Sequence, residues 1–191
     1  DDALDADRAI AMGHSRLAKT ALWAGATDPR LAMVLANAPG CGGAALSRRR
    51  FGERLIQINT RFPHWFCARF KDYNEREASL PVDQHELVAL SAPRPVMVNA
   101  MVEDQWADPK GMFLALKHAA PVWDLLGAEG LSAEAMPAVG SQVLSRVGFR
   151  HRAGRHDVLA EDWQAFLDFA DRHLPPAGAG TRDASGASES A

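Results

Sequence analysis

Cysteine is scarce in this chain: Cys41 and Cys67 are the two in 191 residues. Neither has partners at zinc-ligand spacing, and one possible bridge is not specified by sequence, so the expectation is two free thiols, no metal and no cofactor. An excess of positive charge is also missing. A formal net charge of −3 argues against general nucleic-acid binding, and Arg48-Arg49-Arg50 is too short a run to reverse that. There is no apolar stretch of the roughly 20 residues that a membrane helix needs, no leader-like segment and no internal repeat. What is present describes a globular protein, 47% hydrophobic and 7% aromatic, long enough to bury a sizeable core.

The most informative stretch is Arg8 to Trp23. A short apolar strand over residues 8–13 runs into Gly13-His14-Ser15, and a helix follows at once. A serine on a sharp strand-to-helix turn projects its Oγ clear of the sheet, and the backbone N–H groups that open the helix stabilise developing negative charge. Gly13 lets the helix backbone pass close to the strand. A Gly-x-Ser triplet also arises by chance, and serine often caps helices, so the rest of the chain must supply the partners.

A nucleophilic serine needs an imidazole to take its proton and a carboxylate to orient that imidazole. Residues 32–37 read as a strand, Asp83 to Leu90 as a short helix, 95–101 as a buried strand and 109–128 as an amphipathic helix; Asp104 lies just beyond the end of 95–101, where α/β sheets gather catalytic groups. Residues 143–149 read as a last strand, followed by a loop carrying His156 and an amphipathic helix from Glu161 to His173. Glu103 is the adjacent rival for the acid. Asp108, before Pro109, reads as a turn or helix cap. Among seven histidines, His85, His118 and His173 sit in polar helical contexts and read as solvated. His151 is a nearer rival to His156. His14 is expected to point away from the side that Ser15 faces, as a packing residue.

Several motifs in register resemble the glucuronoyl esterases of carbohydrate esterase family fifteen, most closely the bacterial branch. They are Gly13-His-Ser-Arg-Leu-Ala-Lys19, Gly40-Cys-Gly-Gly-Ala-Ala, Ser47-Arg-Arg-Arg-Phe-Gly-Glu53, His64-Trp-Phe, Glu103-Asp-Gln-Trp-Ala-Asp-Pro109 and Gly154-Arg-His-Asp, and the likeness spans residues 8 to 174. It implies an α/β-hydrolase fold, a three-layer sandwich, and hydrolysis of the ester between a 4-O-methyl-glucuronic acid branch of xylan and an alcohol of lignin. Glucuronoxylan or a lignin–carbohydrate ester would be the partner, and export to the periplasm or beyond would be the localisation. The resemblance further implies Ser15 as nucleophile, His156 as base, Arg16 facing the oxyanion, and Lys19, Glu53 and Trp106 binding the sugar. Trp65 is read as a core residue.

The chain departs from that family in three places. Many members carry a glutamate where Ala38 stands here, which leaves Asp104 as the acid. His14 and Asp157 occupy positions where some fungal members have a cysteine pair. Ala18 replaces a glycine. The elbow also arrives within the first fifteen residues, ahead of strands that the fold normally places before it, so residues 1–174 read as the C-terminal portion of a catalytic domain, incomplete at its N-terminus, with 175–191 a disordered Ala/Gly/Ser-rich tail. Two other readings stay open: another serine ester hydrolase such as an acetyl esterase, and a fragment that binds without turnover.

Overall fold

The computed structural model describes residues 5–175; the tail expectation falls outside them. The apolar runs form β1 (Ile10–His14), β2 (Met33–Asn37) and β3 (Val96–Met101), each within two residues of its expected bounds. Together with β4 (Ser141–Val143) and β5 (Val147–Arg152) they make one sheet of order β1-β2-β3-β5-β4. All pairs are parallel except β4 with β5.

Strict alternation along the strands divides the core into two faces. Val34, Ala36, Val96 and Val98 point toward α1 (Arg16–Thr27), α3 (Gln84–Ala89) and α4 (Pro109–Ala119), and Trp123 of α5 (Pro121–Leu125) closes that side. Met33, Leu35 and Met97 point the other way, onto Ala165, Phe166 and Phe169 of α6 (Ala160–His173). The result is the three-layer arrangement that the sequence implied. Every one of these strand residues is almost or wholly inaccessible, as strands covered on both faces must be.

Two elements differ from expectation. Residues 143–149 are not one strand: Leu144 to Arg146 turn between β4 and β5, and the Ser145 hydroxyl donates to the Val147 carbonyl while accepting from Ser132 N–H. The expected helix over 109–128 divides at Pro121, which has no N–H to continue the ladder. The excursion between β2 and β3 contains α2 (Leu55–Arg61) and its own small core of Cys41, Leu55, Ile58 and Leu80. No helix among the described residues is long and apolar enough to cross a membrane.

Candidate active site

Ser15 sits between β1 and α1 with φ 57° and ψ −121°, a conformation that a side chain bearing a Cβ adopts only at a cost. Two features hold it there. Its N–H donates to the Asn37 carbonyl at 2.9 Å, and α1 folds back so closely over the strand that a Cβ on Gly13 would lie 2.1 Å from the Leu17 carbonyl oxygen. Only glycine fits. The N–H of Arg16, at the first helical position, has no acceptor within the helix and is available at the mouth of the turn.

Asp104 and His156 come from the loops after β3 and β5. The His156 Nδ1 lies 2.6 Å from Asp104 Oδ2, and the carboxylate is buried. Glu103 instead faces outward and pairs loosely with Arg155 at 3.5 Å. Asp108 is the cap expected of it: buried, it accepts from Gly111 N–H at the start of α4 and pairs with Arg49 at 2.9 Å. The loop carrying His156 is itself anchored, because buried Arg152 holds the Asp157 carbonyl and the fully buried Asp162 of α6.

A cavity of about 390 Å³ brings Ser15, Arg16, Lys19, Glu53, Trp106, Asp104 and His156 to one place. Charged and aromatic side chains line it together. Lys19 is half-buried and donates from Nζ to the Pro39 carbonyl at 2.6 Å; burial lowers its pKa, with nearby Cys41 and Glu53 opposing. Burial raises that of Glu53, opposed by the Lys19 ammonium and by the Trp106 side chain. The backbone reinforces this pair: Glu53 N–H donates to the Trp106 carbonyl at 2.8 Å. Gly52 makes the approach possible, since at φ +65° a Cβ would stand 2.4 Å from that same carbonyl oxygen.

Other residues are placed differently from the sequence reading. Trp65 packs only half-buried against the small core of the excursion; it also stacks on Phe62 at 3.8 Å, and both line the cavity with Arg61, whose guanidinium lies over the Phe62 ring. Spacing gave no sign of these three. His14 does not point away from the site, because its ring lies 4.7 Å from that of His156. His151 is in β5, bonded to the Pro137 carbonyl. His118 is exposed, but His85 is half-buried, and His173 is half-buried with its ring bonded to the Leu144 carbonyl and packed on Phe169. Cys41 and Cys67 are free thiols, and burial pushes Cys41 up to about 12. No cluster of metal-ligating side chains occurs among the described residues.

Comparisons with known proteins agree with one another. The family model described as "Glucuronyl esterase, fungi" matches residues 1–127. Carbohydrate esterase MZ0003, from an unknown prokaryotic organism, is 53% identical over 174 residues, covering 91% of this chain and 40% of that protein. A 4-O-methyl-glucuronoyl methylesterase of Schizophyllum commune is 37% identical over 122 residues, 60% of this chain and 31% of the relative. Among solved structures, a promiscuous CE15 esterase from a marine bacterial metagenome superposes with TM-score 0.90 at 53% identity, over 91% of this chain and 44% of that one. The glucuronoyl esterase from Solibacter usitatus gives TM-score 0.87 at 47% identity, with the same shares covered. The chain thus spans less than half the length of these relatives.

Proposed function

Because the chain belongs to the glucuronyl esterase family and has its α/β-hydrolase fold, we propose that it carries the serine-esterase chemistry that cleaves esters of 4-O-methyl-glucuronic acid, as in glucuronoxylan–lignin linkages. The observation that supports this reading most is convergence. A serine on a strained elbow, a carboxylate-bound imidazole and three sugar-matching side chains share one cavity.

In this mechanism Ser15 Oγ attacks the uronate carbonyl carbon as its proton passes to His156 Nε2. Asp104 accepts from Nδ1–H, fixing the tautomer that leaves Nε2 free and stabilising the imidazolium once it forms. The Arg16 N–H and guanidinium oppose the charge that develops on the carbonyl oxygen. Collapse of the tetrahedral adduct breaks the ester C–O bond, and His156 returns its proton to the departing alcohol. Water then attacks the acyl-enzyme, giving its proton to His156; the carboxylate leaves and Ser15 recovers its hydroxyl. Lys19 donates to sugar hydroxyls, Glu53 accepts from them, and the Trp106 face covers the apolar side of the pyranose. A polymeric wall substrate is met outside the cell, which fits an exported protein.

A broader ester hydrolase is favoured by one feature. An apolar hollow of about 830 Å³ runs along α1 and shares Arg16, Lys19 and Trp65 with the cleft, room for an aryl group. Hydrolysis of methyl 4-O-methyl-glucuronate measured beside an aryl acetate separates the readings. Turnover of the uronate ester that is lost on Ser15→Ala, by on the order of 10⁴-fold, supports the proposal. Turnover of the acetate alone defeats it, and activity indifferent to Ser15→Ala means the chain does not catalyse at this site.

A further inference from the structure

Asn37 ends β2 with a side chain that is wholly buried, in register between His14 of β1 and Asn99 of β3. An amide in such a place is costly unless bonded. Its Nδ2 makes two contacts, 2.9 Å to the Asp157 carbonyl and 2.9 Å to His14 Nδ1. A carbonyl oxygen can only accept, so the Asp157 contact fixes which end of the amide is nitrogen. The second hydrogen of that nitrogen then points at His14 Nδ1, which must offer a lone pair, and His14 is the neutral tautomer with its proton on Nε2.

The groups facing His14 come from three directions. His156 and Asp157 approach from the base loop, Asp104 from the loop after β3, and Asn37 from the neighbouring strand. Burial first, then the nearby His156, hold His14 below its ordinary pKa, with the Asn37 backbone carbonyl, Asp157 and Asp104 pulling the other way. The rings of His14 and His156 are inclined at 44°, so whatever charge His14 bears is felt directly by its neighbour.

Resting on the assignment of His156 as general base, we propose that Asn37 is a positioning residue for it: one amide nitrogen ties the base loop to the end of β2 and keeps His14 an uncharged platform beside the His156 ring. When His156 takes the serine proton, a neutral neighbour leaves the imidazolium unopposed; a second imidazolium there would repel it. The device couples the heights of nucleophile and base, because Asn37 also receives the Ser15 N–H on its backbone carbonyl.

The test uses ¹⁵N-histidine-labelled chain and ester kinetics together. At pH 7 the wild-type His14 Nδ1 signal is expected to be that of an unprotonated nitrogen. In Asn37→Asp, where a carboxylate can only accept, that nitrogen gains a proton, and kcat for the uronate ester falls by about 10–100-fold with KM little changed. His14→Lys, which puts a fixed positive charge beside the base, lowers kcat by a similar factor. Ser145→Ala, which removes a buried hydroxyl far from the base loop, leaves the His14 signal and kcat in place. A protonated His14 Nδ1 in the wild type, an unaltered signal in Asn37→Asp, or equal kinetics in Asn37→Asp and wild type would each overturn the proposal. Should Asn37→Asp fail to fold, the wild-type signal and His14→Lys decide, an unchanged kcat in His14→Lys overturning the proposal. If wild type hydrolyses no uronate ester, the functional reading fails, while the nitrogen signals still judge Asn37.

Discussion

Nδ1 of His156 lies 2.6 Å from Oδ2 of Asp104, while the adjacent Glu103 turns outward toward Arg155. Two neighbouring carboxylates therefore have separate tasks. Asp104→Asn keeps the shape but removes the acceptor that selects the imidazole tautomer, so kcat for the uronate ester should drop on the order of 10⁴-fold. Glu103→Gln, measured in the same assay, should stay close to wild type. A larger loss in Glu103→Gln than in Asp104→Asn would reverse the assignment.

The elbow predicts a trade between stability and chemistry. Ser15 holds φ 57°, which glycine adopts freely, so Ser15→Gly should stabilise the fold by about 1 kcal/mol while abolishing ester hydrolysis. Denaturant unfolding at neutral pH checks the first half. An unchanged or lowered midpoint would mean that the turn stores no strain.

His173 gives stability a pH dependence with a definite sign. Burial lowers its pKa from the ordinary value near 6.5, so the unfolded chain binds the proton more readily than the folded one. The associated stability is complete above that ordinary value and is lost as pH falls from it through the folded value. His173→Gln should therefore lose less stability than wild type between about pH 7 and pH 5. Comparing unfolding midpoints of the two proteins isolates the residue from Glu53, whose raised pKa acts in the opposite sense near the acid end.

Trp106 is half-exposed over the cleft, where an indole face can cover a sugar ring. Trp106→Ala should raise KM for methyl 4-O-methyl-glucuronate by roughly tenfold, about 1.4 kcal/mol of lost contact, and change kcat less. Hydrolysis of an aryl acetate, which offers no pyranose, should be nearly unaffected. Equal losses on both substrates would make Trp106 a structural residue.

What was legible in the sequence follows from periodicity and punctuation. Continuous apolar runs announced β2 and β3, Asp83 and Asp108 announced helix starts, and Gly13 announced the close crossing at the elbow. The residues proposed for the site could be named because each follows a recognisable strand or belongs to a motif of the resemblance, and the structure gathers them in one cavity. Asn37 was silent, since one polar residue at the end of a buried strand carries no period of its own. The turn at Leu144 to Arg146 was hidden because it uses neither glycine nor proline, and a serine hydroxyl makes the local bonds instead. Trp65 and Phe62 were invisible as cleft residues because stacking between them depends on how the excursion folds, which local pattern does not encode.

Ser15, Asp104 and His156 all leave from the same ends of parallel strands in a single ladder. Their mutual spacing is consequently inherited from the pitch of the sheet, a quantity that surface insertions barely touch. Glu53 and the stacked Phe62–Trp65 pair belong instead to the long detour between β2 and β3, outside that ladder. On the proposed reading, rewriting the detour would redraw which esters are admitted and leave the spacing of Ser15, Asp104 and His156 as it was.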